Sequence, residues 1–104
     1  MAGVRFLNLS QLNVETVTVS VAGTATSPTS KIVPDGVGVV VLAHPSNTGS
    51  IKVAPTAALA QQGLGVGNIP MSANTAITLQ LNDPALLFID AVNSGDRAVI
   101  YFEQ

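Results

Sequence analysis

Hydrophobic and polar positions alternate along several short segments of this chain. In VETVTVSVA (14–22), valines occupy positions 17, 19 and 21, and threonine and serine occupy positions 16, 18 and 20. The segment TAITLQLND (75–83) shows the same period. A period of two is typical of a strand with one buried face. The positions predicted to point inward are Val17, Val19, Val21, Ile77, Leu79 and Leu81.

A third segment, VGVVVLA (37–43), does not alternate, because it is apolar at every position except Gly38. It therefore predicts a strand that is buried on both faces. The Pro-Asp-Gly sequence before it and HPSNTG after it are typical of turns. Two more apolar segments, LLFIDAV and RAVIYFE, flank the turn sequence NSGD near the end of the chain. In RAVIYFE, the pairs Val99/Tyr101 and Ile100/Phe102 are expected on opposite faces.

Short strands that recur about every ten residues predict an all-β fold. We expect a single antiparallel β-sandwich or a jelly-roll-like barrel of about six to eight strands. The predicted domain covers residues 14–104. Residues 1–13 form an N-terminal arm that we expect to contact another subunit, because it is apolar and has no hairpin partner nearby in sequence. The apolar residues of the arm are Phe6, Leu7, Leu9 and Leu12.

The stretch 55–73 is the least regular part of the chain. Residues 57–62 predict one helical turn that ends at Gly63. The following GLGVG (63–67) has neither the Lys-Ser/Thr of a P-loop nor the setting of a dinucleotide-binding motif. It is therefore interpreted as a flexible loop.

Charged residues make up only 10% of the chain, against roughly 25% in an average soluble domain. Residues 53–82 contain no charged residue at all. Interface cores are depleted in charge in the same way. We therefore predict that residues 55–73 pack against a neighbouring molecule. The alternative is a neutral loop in water. The side chains expected in that interface are Leu59, Leu64, Val66, Ile69 and Met71.

The few charged residues exclude several functions. Four isolated basic residues provide no stripe for nucleic acid, and no apolar segment approaches the length of a membrane span. MAGVRFLNLSQ does not resemble a signal peptide, so we expect synthesis in the cytoplasm. Lys52 is expected at a solvated strand end. Asp90 is expected on the solvent face of its strand; if buried, it would need a partner such as Arg97.

Candidate catalytic chemistry is sparse. The chain has no cysteine, and its one histidine, His44, precedes a proline in a predicted turn. Asp35, Asp83 and Asp96 occupy turn positions that favour local hydrogen bonding. Glu15 and Glu103 are placed at strand ends near water. We therefore expect no enzyme activity, no cofactor and no metal site.

The order of motifs resembles that of the small β-sandwich virion proteins of tailed bacteriophages. The resemblance covers residues 31–104 and is carried by IVPDGVGVVVLAHPSNTGSIKVAP, the glycine-rich middle, ITLQLND and LLFIDAVNSGDRAVIYFEQ. It implies a virion protein: a capsid decoration (cement) protein, a head fibre or an adaptor, acting as a trimer or larger symmetric assembly. These motifs define a fold and no active site, so the resemblance assigns no functional residue.

The leading hypothesis is a decoration protein that binds the major capsid protein on the outer head shell and reinforces it. Localisation in the virion and a homotrimer follow from the resemblance only. A neck, tail or head-fibre subunit is the alternative among virion proteins. A carbohydrate-binding sandwich is a further alternative, weakened by the absence of tryptophan and by the single tyrosine and three phenylalanines.

Overall fold

The computed structural model describes residues 11–30, 33 and 38–103, and its strands form two antiparallel sheets. Seven strands lie in the described part of the chain, so the predicted β-sandwich is confirmed. The larger sheet has the order β1-β7-β2-β5 and the smaller one the order β4-β3-β6. The strands are β1 Leu12–Thr18, β2 Val39–Ala43, β3 Ile51–Ala54, β4 Ile69–Met71, β5 Ala76–Leu79, β6 Phe88–Ala91 and β7 Arg97–Glu103.

The core lies between the two sheets and is formed mainly by alternate residues of the strands. In β2, Val39, Val41 and Ala43 are fully buried, and the residues between them are half-buried. The strand therefore alternates more than its sequence predicts. Its first residue is Val39, and the expected start at Val37 lies outside the described residues.

The central strand β7 confirms the predicted division of its faces, since Ile100 and Phe102 belong to the core cluster. Ile77, Leu79 and Leu81 pack against that cluster, again as predicted. Val21 differs from its prediction. β1 ends at Thr18 and the chain turns, so the Val21 side chain is left exposed.

At the amino-terminal end, the first two residues of β1 replace part of the predicted arm. Leu12 and Asn13 pair with Glu103 and Phe102 of β7. The sheet therefore begins two residues before the expected domain start at residue 14. Residues 1–10, which contain Phe6, Leu7 and Leu9, lie outside the described part of the chain.

Two short helical turns join strands. The helix α1, Ala57–Ala60, starts where the Thr56 side chain accepts a hydrogen bond from the Leu59 backbone N–H, which confirms the predicted turn. A 3₁₀ turn at Pro84–Leu86 begins at Asp83, whose side chain accepts from the Ala85 N–H.

The outer edges of the smaller sheet are both modified. Thr26 exchanges two 2.8 Å backbone hydrogen bonds with Ile89 and so covers the edge of β6. On the other side, β4 contains Pro70, which has no backbone N–H to donate.

Candidate functional site

Four of the five residues predicted for the interface in 55–73 are exposed on one continuous segment. The exposed fractions are 37% for Leu59, 52% for Leu64, 58% for Val66 and 43% for Ile69. We call these four residues the loop patch. The fifth, Met71, is 3% exposed and belongs to the chain's own core, because it faces inward from β4. Its assignment to an interface is therefore wrong.

The backbone that carries the loop patch is held by one buried side chain. The Asn68 amide donates to the backbone oxygens of Leu59 at 2.9 Å and Gly63 at 3.2 Å. Its Oδ1 accepts from the Gly65 N–H at 2.9 Å. One side chain thus connects the end of α1 to both sides of the glycine-rich loop. The segment expected to be a flexible loop is a loop with a specific internal hydrogen-bond network.

Gly67 lets the loop close onto α1. It has a φ of +75°, and a Cβ atom added there would lie 2.7 Å from Leu59 Cδ2. Both features disfavour a larger residue: side chains rarely adopt a positive φ, and the end of the Leu59 side chain would have to shift to admit a Cβ atom. The position of the Leu59 side chain in the patch therefore depends on glycine at 67.

Beneath this segment lies a buried ion pair that the sequence analysis did not predict. Lys52 and Asp90 are paired across β3 and β6, with Lys52 Nζ 3.3 Å from Asp90 Oδ2. Asp90 is fully buried and Lys52 is 8% exposed, so the expectations of a solvent-facing Asp90 and a solvated Lys52 are both wrong. The partner is Lys52, not Arg97.

Backbone groups complete the environment of this pair. Lys52 Nζ donates to the Gln62 carbonyl oxygen at 2.9 Å, and Asp90 Oδ1 accepts from the Gly23 N–H at 2.9 Å. Asp90 Oδ2 has no hydrogen bond within the described residues, although it makes the 3.3 Å contact with the ammonium group. The pair therefore fixes the chain just after α1, and the 22–23 turn, onto the outer face of the smaller sheet.

Three other carboxylates are also at least partly buried. Asp96, in its predicted turn, is buried and accepts from the Thr48 and Gly49 N–H groups at 3.0 and 2.8 Å. Glu15 lies inside β1 and accepts from the Thr29 N–H at 2.9 Å. Glu103 is also buried. The two glutamates are therefore not simple solvated strand ends.

The chain's histidine lies beside a serine hydroxyl in a turn. Ser46 Oγ is 2.7 Å from His44 Nδ1, and Arg97 Nη2 donates to the same hydroxyl at 3.3 Å. The Ser46 backbone N–H also donates to His44 Nδ1, at 3.0 Å. Because the backbone N–H already uses this nitrogen, the arrangement acts as a turn closed by a side chain. Within the described ranges, no group of three acidic or histidine side chains is placed to hold a metal.

An apolar groove of about 240 Å³ opens beside the loop patch. It lies between the end of β3, the start of β4, the end of β5 and the 3₁₀ turn. Its lining is aliphatic apart from Asn68 and Gln80, and it includes Ile69 of the loop patch. The apolar lining includes Val53, Pro55, Ile69, Leu81 and Leu86.

Comparison with protein-family models, curated proteins and solved structures finds no match to this chain. None of the helices in the described ranges is both long and apolar enough to cross a membrane. The site is therefore characterised by its geometry, which presents an exposed aliphatic patch and groove, without a cluster of reactive groups, in the part of the chain that the structure describes.

Proposed function

We propose that this chain is a structural protein of a tailed-phage virion, which binds the outer head shell as a decoration protein and works as a symmetric oligomer. The observation that carries the proposal is the loop patch, four exposed aliphatic side chains on a backbone held by Asn68. Large apolar side chains grouped on a surface are typical of protein interaction sites. The motif resemblance supplies the kind of partner, the major capsid protein.

The charge distribution supports a surface that is covered by a protein partner rather than one that faces water. No charged residue lies between Lys52 and Asp83 in the sequence, and Lys52 is buried. Residues 53–82 therefore contribute no charge to the loop patch or to the adjacent groove. Burying such a surface removes apolar area from water without leaving a charge unpaired.

A β-sandwich is compatible with many functions, so the fold alone does not select one. A neck, tail or head-fibre subunit would use the same kind of patch and is the alternative within virion proteins. The carbohydrate-binding alternative gains no support from the groove, because its lining has no aromatic residue on which a sugar ring could stack.

The test is cosedimentation of the purified protein with expanded phage heads. The variant Leu64→Glu with Val66→Glu places two charges in the patch, at side chains that are more than half exposed. The matched control, Val21→Glu with Val92→Glu, changes two equally exposed valines outside it.

We expect wild type and control to bind the heads at a fixed stoichiometry. The patch variant should bind at least about tenfold more weakly, because burying one unpaired charge costs more than 1.4 kcal/mol. Equal binding by the patch variant and the control would refute the role of the patch. No binding by the wild type to heads, with binding to tails or necks instead, would favour the alternative.

A further inference from the structure

The hydrogen bonds of the larger sheet show which backbone groups of β1 point away from it. At the end of the β1–β7 pairing, the Val19 N–H donates to the Asp96 carbonyl oxygen at 2.9 Å. Along an antiparallel pair, hydrogen-bonded and non-hydrogen-bonded residues alternate. Every second residue back from Val19 therefore directs its N–H and C=O groups at β7. The residues between them, Val14, Thr16 and Thr18, direct theirs outward, and we call these groups the open edge.

The next strand pair of the sheet agrees with this assignment. Arg97 lies opposite Thr18 in the β1–β7 register. Its carbonyl oxygen accepts from the His44 N–H at 3.1 Å, on the β2 side of β7. The Arg97–Thr18 pair is therefore non-hydrogen-bonded, as the alternation requires, and the Thr18 backbone groups point outward.

The open edge is accessible. β1 stands at the end of the strand order of its sheet. Among residues 11–30, 33 and 38–103, no hydrogen bond reaches the outward N–H and C=O groups of Val14, Thr16 or Thr18. All three residues are exposed, Val14 by 58%. The edge therefore has room for another extended strand.

The other edges of the two sheets are covered, interrupted or short. Thr26 covers β6 and Pro70 interrupts β4. On the four-residue strand β5, the same alternation turns Ala76 and Thr78 outward. By contrast, β1 runs for seven residues without proline or lysine. Natural proteins usually protect such a long edge, because it can pair with another chain.

The one charge on β1 does not protect the edge. An inward-pointing charged side chain can serve that purpose. The Glu15 carboxylate, however, accepts hydrogen bonds from the Thr29 N–H at 2.9 Å and from the Thr29 hydroxyl at 2.9 Å. Glu15 is therefore already held within its own chain. The residues of the open edge are all uncharged, so two copies of it can approach without repulsion.

We propose that β1 pairs antiparallel with β1 of a second copy, with the two-fold axis at Val14, so that the two larger sheets form one continuous sheet. Outward groups meet outward groups when the axis lies at Val14, Glu15 or Thr16. An axis at Glu15 places like charges opposite each other, which is destabilising. An axis at Thr16 leaves each exposed Val14 opposite a polar threonine.

The axis at Val14 satisfies both requirements. The two exposed valines lie opposite each other, and Glu15 faces the Asn13 amide of the second copy. Leu12 pairs with Thr16 of the second copy, and each matched outward pair exchanges two backbone hydrogen bonds. The same patch is used on both molecules, so the contact closes at two copies and leaves neither β1 edge open.

This contact goes beyond the proposed function, because it names an interface of the symmetric oligomer. It does not involve the loop patch, which lies on α1, the glycine-rich loop and β4. Association of copies and binding to the head shell therefore depend on different surfaces and can be tested separately.

A disulfide experiment tests the register, because the wild-type chain has no cysteine. In the proposed pairing, the two Val14 Cα atoms lie about 5.5 Å apart. That distance is within the range of roughly 4.4–6.8 Å that a disulfide spans. The matched control is Thr18→Cys, an exposed position on the same strand. The two Thr18 residues would lie more than about 25 Å apart.

Under mild oxidation, we expect Val14→Cys to give at least about tenfold more disulfide-linked dimer than Thr18→Cys. Paired strands hold the thiols at a high effective concentration, whereas random collision does not. Equal yields, or no dimer from either variant, would overturn the proposal. A higher yield from Thr16→Cys than from Val14→Cys would show a different register and would also overturn it.

Thr16→Pro tests the backbone contact itself. Proline removes an outward N–H but none of the N–H groups that donate to β7, and edge strands tolerate it in that position. Light scattering should show a lower mass for Thr16→Pro than for wild type. Thr16→Ala keeps the N–H and should leave the mass unchanged. A folded Thr16→Pro variant with the wild-type mass would contradict the proposal.

Val14→Lys gives the same measurement should proline prevent folding. It places like charges opposite each other on the axis and should lower the mass, whereas Val21→Lys, at a 59% exposed valine outside β1, should not. Equal masses for the two variants would contradict the proposal. A Val14→Cys dimer that fails to bind heads would count against the proposed function alone. A wild-type chain that binds heads but is monomeric in solution would count against the β1 contact alone.

Discussion

Lys52 and Asp90 lie directly opposite each other on β3 and β6, with 3.3 Å between Nζ and Oδ2. Asp90 has no solvent-exposed surface. The two backbone partners of the pair come from Gly23 and Gln62. One ion pair therefore joins two sheet strands to two loops, including the segment just after α1.

Asp90→Ala should destabilise the protein by about 3–5 kcal/mol, because Lys52 would be left as a buried charge without its partner. Chemical denaturation measures this loss. The double variant Lys52→Met with Asp90→Leu should recover most of it, since an apolar pair of similar volume avoids the cost of burying charge. If the single variant unfolds at the wild-type midpoint, the pair is not important for stability.

Asn68→Ala should loosen the loop without unfolding the sandwich. We expect a stability loss of about 1–3 kcal/mol, because buried backbone oxygens lose their donor. Hydrogen exchange at the Gly65 N–H, which donates to Asn68 Oδ1, should become faster. Asn82→Ala, a change at an exposed asparagine, serves as the control. Unchanged exchange at Gly65 would show that Asn68 does not organise the loop.

Gly67→Ala and Gly65→Ala form a matched pair that separates two physical effects. Both glycines have φ near +80°, at +75° and +79°, so each substitution costs about 1–2 kcal/mol of backbone strain. Only Gly67 also faces Leu59, at 2.7 Å from the added Cβ, whereas nothing lies within 4 Å at Gly65. Thermal or chemical unfolding should therefore show a larger loss for Gly67→Ala. Equal losses would mean that Leu59 moves aside freely.

Val41→Asp should prevent folding, because Val41 is fully buried in the centre of β2. An unpaired carboxylate there cannot be solvated, and the cost exceeds 4–5 kcal/mol, as in the most severe single substitutions. Thr78→Asp, on the exposed face of the neighbouring strand β5, is the control. Circular dichroism and solubility distinguish the two. A cooperatively melting Val41→Asp variant would contradict the burial of this strand.

The strands could be predicted from sequence because alternation survives in the fold. Val17, Ile77 and Leu79 point inward as their period requires, and the turn residues between segments mark most strand ends. Alternation predicts which side chains are buried only for residues that lie within the strand. Val21 is exposed because β1 has already ended three residues earlier.

The buried ion pair could not be predicted, for a different reason. Alternation places Lys52 and Asp90 on the face of the smaller sheet that turns away from the core. Whether that face meets water depends on what packs over it, here α1 and the turn at 22–23. A sequence pattern does not contain this covering. Pairing the segments IKVA and FIDA in register would have brought the two charges together, and that was the available signal.

Met71 illustrates the same limit within the predicted interface. Five apolar residues in an uncharged stretch are equivalent in sequence. Ile69 and Met71 point to the same face of β4, but Met71 lies over the core, whereas Ile69 lines the open groove and stays exposed. For Leu59, Leu64 and Val66, the only sequence signal for exposure is that their segment has no regular hydrophobic period. Their fixed arrangement depends on the Asn68 hydrogen bonds, which no local pattern indicates.

The covered or interrupted outer edges of the smaller sheet affect how copies of the protein can associate at high density. Thr26 already occupies the edge of β6, and Pro70 interrupts the row of donors along β4. Polymerisation by adding strands, the usual route to fibrils, is therefore hindered at this sheet. Copies gathered densely on one surface would therefore not grow into a fibre through the edges of this sheet.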